Sequence, residues 1–144
     1  DTLKEEILLA TFIPVIVYMS DAVGSQTETI FIKTFAMDQH MTIRKYFFRE
    51  VVVGMLLALA LGSLLMAIAL VLFKSLTLAL ILGMSMALGI VAAVSVAICV
   101  PIFLTKIKKD PAVGSAPFAT IASDITSIII YFSIAQALLR IWKI

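Results

Sequence analysis

The chain has 144 residues, of which 62% are hydrophobic and 14% charged, with a net charge of +2. Soluble domains are about 45–50% apolar and about 25% charged, and a chain this short cannot hide so much apolar surface from water, which excludes a soluble all-α bundle. The charges gather at residues 1–6, 33–50, 74, 106–110 and 140–143, leaving long stretches between them that are almost free of charge, as lipid demands of spanning segments.

The first apolar segment runs from near Leu3 to about Phe35, too long for one perpendicular span of about 20 residues. It is not a signal peptide, because Glu5 and Glu6 stand at its front and no small-residue cleavage site follows. Asp1 points to a chain that starts inside a longer protein. Pro14 and the polar run Ser20, Asp21, Gly24, Ser25, Gln26, Thr27 and Glu28 predict a helix that is interrupted or distorted near its middle. Asp38 is placed to cap the helix that begins near Met41. The second span is Val51–Phe73, with a shorter amphipathic approach from Met41, and the third is Leu76–Thr105, ending near Pro101. The fourth, Ala112–Leu139, follows Asp110 and Pro111, where a proline is tolerated because first-turn amides have no helical partner. The fold class is therefore all-α, a polytopic transmembrane helix bundle of four spans (about 3–35, 51–73, 76–105 and 112–139) forming one domain over residues 1–144.

The two residues Lys74 and Ser75 leave room only for a tight antiparallel pair of spans two and three. The links at 36–50 and 105–111 lie together on the opposite side. With Lys33, Arg44, Lys45, Arg49, Lys106, Lys108 and Lys109 on that side against Lys4, Lys74, Arg140 and Lys143 on the other, the positive-inside rule puts those links in the cytoplasm. This is a membrane-surface charge pattern and not a nucleic-acid one. Gly54, Ala58 and Gly62 recur every four residues, as do Ser85, Gly89 and Ala93, a spacing that lets helix backbones approach closely in lipid. The nine Phe are assigned to packing or to lipid, and Trp142 to an interfacial anchor. The single Cys99, within an apolar run, and the single His40 exclude an internal disulfide and a histidine-rich metal centre.

An ionised carboxylate in hydrocarbon costs roughly 2.5–3.5 kcal/mol on insertion scales. Counted inward from the presumed cytoplasmic ends, Asp21 and Asp124 both lie about 21–22 Å deep if the helices are regular. Thr120, Asp124 and Ser127 share one helix face. A hydrated magnesium ion is held by one or two carboxylates with water completing its octahedron, and an interrupted backbone at 20–27 would add carbonyl ligands facing a watery cavity. The alternative for Asp124 is a protonated acid hydrogen-bonded across helices. Glu28, seven residues after Asp21, would line an entrance or reach the wet edge.

The stretch from Pro14 to Glu28, PVIVYMSDAVGSQTE, resembles the second transmembrane helix of the MgtE family of magnesium channels and transporters, where a proline precedes "MGGNAG-x-Q" or "SDAVG-x-Q". The stretch from Asp110 to Asp124, DPAVGSAPFATIASD, resembles the family's last helix, "DPA-x-x-x-x-P-F-x-T-x-x-x-D". The resemblance covers essentially the whole chain. It implies a five-helix transmembrane domain, here without the first helix and without cytoplasmic sensor domains, that pairs as a homodimer with a magnesium pore along the subunit interface. Carried over by position, it gives Asp124 as the acid facing the hydrated ion and Thr120 as the threonine one turn before it. Gly24 and Gln26 correspond to the glycine and glutamine of the second helix, and Pro117 to the proline opening the last. Asp21 stands where many bacterial members have glycine, and Ala22 where they have asparagine, which places an extra carboxylate near the site.

The expectation is a magnesium-conducting protein of the prokaryotic plasma membrane, not an enzyme, with lipid, a divalent cation and a second copy of itself as partners. Its metal site would draw on Asp124, Asp21, Thr120, Gly24 and Gln26, with Mg2+ as the transported ion. A proton- or sodium-coupled exchanger and a non-transporting structural subunit are the alternatives. An intramembrane enzyme lacks its equipment, since there is no HExxH, no Gly-x-Ser-x-Gly and no cysteine with a basic neighbour.

Overall fold

A computed structural model describes the backbone of residues 2–38 and 40–142 and the side chains of residues 7–38 and 40–141. Four helices follow one another: α1 (Thr2–Met37), α2 (Ile43–Phe73), α3 (Leu76–Lys106) and α4 (Pro111–Trp142). Each is long and apolar enough to cross a membrane. The Trp142 side chain, assigned above to an interfacial anchor, lies outside the described residues.

Helix α3 occupies the centre and packs on α2, α4 and α1, while α1 also packs on α4. Its sequence is apolar all round, as a helix enclosed by neighbours must be, and it buries Ile81, Leu82, Met86, Ile90 and Ile98 almost completely. The α2–α3 connection is as short as expected. Lys74 takes the left-handed conformation (φ 51°), and Ser75 caps α3 by accepting a hydrogen bond from the Leu78 amide at 3.3 Å. The small residues of α2 then bring the backbones together, because a Cβ on Gly62 would lie 2.8 Å from the Gly83 carbonyl oxygen and one on Gly54 3.0 Å from Val94. The Ser85, Gly89 and Ala93 stripe serves the other side of α3. A Cβ on Gly89 would meet Ser20 Oγ of α1 at 2.7 Å and Ser127 Oγ of α4 at 3.6 Å, and Gly24 of α1 lies against Ala93.

Several expectations are corrected. Helix α1 is continuous through residues 20–28, so this stretch supplies no free carbonyl ligands of an open turn. Its glycine keeps negative φ, and its hydroxyls fold back onto the helix, Ser25 donating to Ala22 O, Thr27 to Val23 O and Thr29 to Ser25 O. The approach from Met41 and the second span are one helix, α2, because no breaker separates them and Tyr46 is buried against Phe31 with ring centroids 5.5 Å apart. Asp38 closes the loop by accepting from the His40 amide at 3.0 Å, while the α2 N-cap is Thr42, with no side-chain cap bond. Helix α3 also runs through Pro101 to Lys106. Cys99, by contrast with its apolar sequence surroundings, sits on an exposed face. At the start of α4, Asp110 accepts from the Ala112 amide at 2.9 Å, and Pro111 is the first helical residue.

Helix α4 is tied to α1 by a buried hydrogen bond, Tyr131 Oη donating to the Leu9 carbonyl at 2.6 Å. The bond lies in the part of α1 weakened by Pro14, whose missing amide deprives the preceding turn of a partner. Two substitutions test this packing. Gly62→Val forces a side chain into backbone, and it is expected to lower stability by about 1–3 kcal/mol, whereas Gly114→Ala, where nothing lies within 4 Å, is expected to hold or slightly raise the melting temperature in detergent, because alanine favours the helix. Tyr131→Phe removes only a hydroxyl, and thermal unfolding is expected to show a loss of about 0.5–1.5 kcal/mol.

Candidate functional site

The sequence places its membrane-depth acids on α1 and α4, and the fold brings these helices side by side and antiparallel. Between them, roofed by α3, is a narrow cleft, open along one side and with about 10 Å³ of water-accessible space, lined by Asp21, Gly24, Ser25 and Glu28 of α1, Ala93 and Ala97 of α3, and Ala119, Thr120 and Ser123 of α4. Asp21 and Glu28 are two helical turns apart and therefore on one face. Gly24 lies between them and is the reason the cleft exists in this form: its lack of a side chain lets α1 rest on Ala93, where a Cβ would already be 3.2 Å from the Ala93 methyl.

Of the residues singled out from sequence, Asp21, Gly24 and Thr120 line this cleft. Asp124 lies one turn beyond Thr120, half-buried, within electrostatic range of Asp21. Gln26 points to the outer, exposed face of α1 and is not part of the cleft. It belongs to a ridge of exposed small and polar residues, Ala22, Ser25, Gln26 and Thr29, which recur at the spacing of a single helix face.

Two residues gain weight from the structure. Glu28 is 4% exposed and its Oε1 is buried without a hydrogen-bond partner. Ser123 is 3% exposed, and its Oγ is likewise unpartnered. Further along the same seam, Ser127 and Ser20 face Gly89 with their hydroxyls unpartnered, and Ser85 on α3 is buried with its hydroxyl free as well. The signal in the sequence was the helical spacing of Ser123 and Ser127, and of Ser20 and Thr27, on faces adjoining those of the acids; apolar neighbours on both sides made it easy to overlook.

No Lys, Arg or His lines the cleft, and among the described residues no three His, Cys, Asp or Glu side chains converge as a metal cage. Two carboxylates, hydroxyls and a small void are a poor site for a stripped transition metal. They suit a hard cation that keeps part of its water, since carboxylates balance its charge and hydroxyls accept hydrogen bonds from its water ligands.

Comparison with known proteins adds independent information. The sequence profile of the MgtE family, described as "Divalent cation transporter", matches residues 13–134. The chain is 29% identical over 143 residues to the magnesium transporter MgtE of Bacillus subtilis (strain 168), covering 97% of this chain and 32% of that protein. It is 31% identical over 139 residues to the magnesium transporter MgtE of Enterococcus faecalis (95% and 31% covered). With the magnesium transporter MgtE of Thermus thermophilus the identity is 33% over 135 residues (92% and 30% covered). The chain thus spans about a third of the length of the curated relatives it matches. These relatives are bacterial, and four membrane-length helices make this a multi-pass protein of a prokaryotic plasma membrane.

The contact that sets the cleft is open to test. Gly24→Leu drives a side chain between α1 and α3, and it is expected to lower thermal stability by about 1–3 kcal/mol, read as the melting temperature in detergent, while Gly114→Ala again serves as the comparison.

Proposed function

Because the chain belongs to the MgtE family of divalent-cation transporters, we propose that residues 1–144 form a transmembrane domain that passes divalent cations, magnesium foremost, along a path lined by Asp124 and Asp21. The observation that carries this reading is the position of the two acids, half-buried and within electrostatic range of one another at the edge of a hydroxyl-lined cleft. Two like charges in a partly desolvated setting repel, and a cation between them removes that repulsion. Thr120 adds a hydroxyl to the same wall, and Gly24 shapes it by letting α1 approach α3.

The path runs, in this reading, along the interface of a homodimer. The exposed ridge Ala22, Ser25, Gln26 and Thr29 supports this, because polar side chains at membrane depth are unfavourable against lipid and belong against protein or a water-filled passage. In this reading Asp124 and Gln26 contribute to its lining. The four helices are read as the last four of the family's five, on the strength of the matching motifs at Pro14 to Glu28 and Asp110 to Asp124. No covalent step is required. The ion exchanges part of its hydration for carboxylate and hydroxyl oxygens, and weak, multiple contacts let it leave again.

Magnesium uptake into liposomes tests the reading. Asp124→Asn removes one charge worth about 1–4 kcal/mol against a cation at 4 Å, so flux is expected to fall by about tenfold or more while the protein stays folded. Asp21→Gly is expected to reduce uptake less and to change the ratio of magnesium to calcium and manganese flux. Undiminished uptake by Asp124→Asn would remove that residue from the path, and flux that collapses with the proton or sodium gradient would redirect the reading to coupled exchange.

A further inference from the structure

Glu28 is the least solvated carboxylate of the described chain, and the path through Asp124 does not use it. Its Oε1 is buried with no hydrogen-bond partner. The surrounding residues offer it no counter-charge. Lys33, the next basic residue on α1, is exposed, and the one ion pair among the described residues is Arg49–Glu50, at 3.2 Å on the surface of α2. An uncompensated buried carboxylate is among the most unfavourable arrangements a protein can hold. The neutral acid would still leave Oε1 buried without a partner.

Beside Glu28 the cleft is lined by glycine and alanine and by four oxygen-bearing side chains. The same cleft presents the Asp21 carboxylate, the hydroxyls of Ser25 and Thr120, and Ser123, whose hydroxyl is also buried and unpartnered. Along α1 the backbones of Asp21 and Glu28 are separated by about 10 Å. That is too far for both acids to clamp a bare ion closely, and suited to an ion that keeps some of its water. A cation there would engage Glu28 Oε1 and Ser123 Oγ together, and neither atom has a hydrogen-bond partner among the described residues.

We propose that Glu28, with Asp21 on its own helix and Ser123 and Thr120 opposite, forms a second divalent-cation position inside each chain, distinct from the one at Asp124 and nearer the end of the bundle that carries Lys33 and the 38–42 loop. The proposal rests on the reading of this domain as a cation path. It adds a binding position that does not depend on a second copy of the chain, because every lining residue comes from one.

The test is binding, separate from flux. Purified protein in nanodiscs is titrated with Mn2+, followed by electron paramagnetic resonance of the free ion, for wild type, Glu28→Gln, Ser123→Ala and Asp124→Asn, each checked for helicity and monodispersity. Glu28→Gln is expected to bind one Mn2+ fewer per chain, or to bind that ion about tenfold or more weakly, because fewer charged ligands lower affinity. Ser123→Ala is expected to weaken the same ion several-fold, and Glu28→Asp to restore part of what Glu28→Gln loses. An infrared difference spectrum between magnesium-loaded and magnesium-free protein should contain a carboxylate band that disappears in Glu28→Gln alone. Unchanged Mn2+ binding and an unchanged spectrum in folded Glu28→Gln overturn the proposal, even if Asp124→Asn abolishes uptake. Loss of the Mn2+ in Glu28→Gln with uptake intact in Asp124→Asn sustains the second position and refutes the path through Asp124.

Discussion

A carboxylate carried from water into hydrocarbon loses several kcal/mol of solvation unless something inside the protein replaces it. This constraint divides the four helices by labour. Helix α3 takes the centre with almost no polar side chain to satisfy, and α2 covers one flank of it with an apolar outer face. The acids and most of the membrane-depth hydroxyls are left to α1 and α4. Those two helices can sit together on one side of α3 because Gly24, Gly89 and Ala93 keep the contact shallow. The cleft is the space that remains when two polar helices share an apolar neighbour.

The spans could be read from the sequence because apolar runs bounded by charges have only one stable arrangement in lipid. The same is true of the tight turn at Lys74 and Ser75 and of the small-residue stripe on α2, whose four-residue spacing is a helical face. Counting 1.5 Å per residue from the loops put Asp21 and Asp124 at one level, and the packing of α1 on α4 brings the two helices that carry them together. The continuity of α1 was not legible. Gly24 with Ser20, Ser25 and Thr27 reads as a breaker by the rules of soluble proteins, yet in a membrane an opened turn leaves amides and carbonyls without partners, and the Ser25 and Thr27 hydroxyls find acceptors on the helix itself. The burial of Glu28 and the exposure of Gln26 were not legible either. Both depend on how α1 is rotated about its axis, and that rotation is set by the contact of Gly24 with Ala93, a residue far away in sequence.

The chemistry of the cleft is that of loose retention. Three or more converging acids or imidazoles would hold a divalent ion tightly, and the described residues contain no such group. Asp21, Asp124 and Glu28 are instead strung out along two helices, each near a hydroxyl. In the proposed reading, a cation meeting them singly or in pairs would be attracted without being trapped, which any route across a membrane requires. Hydroxyls with unpartnered oxygens, such as Ser123 and Ser127, extend the same polar seam inward without adding charge.

Helices of 31 residues, such as α2 and α3, are about 46 Å long, whereas the hydrocarbon layer is about 30 Å thick. The surplus is taken up by tilt or by helix ends that stand in the headgroups, where Arg49 already lies over the Tyr46 ring, 5.0 Å from its centroid. Since α2 and α3 are stapled by a two-residue turn while α1 meets α3 through glycine and alanine, the helices do not share one stiffness. A thinner or thicker bilayer therefore tilts the hairpin as a unit and shifts α1 against it. Membrane thickness becomes a mechanical input to the width of the cleft that holds Asp21 and Glu28.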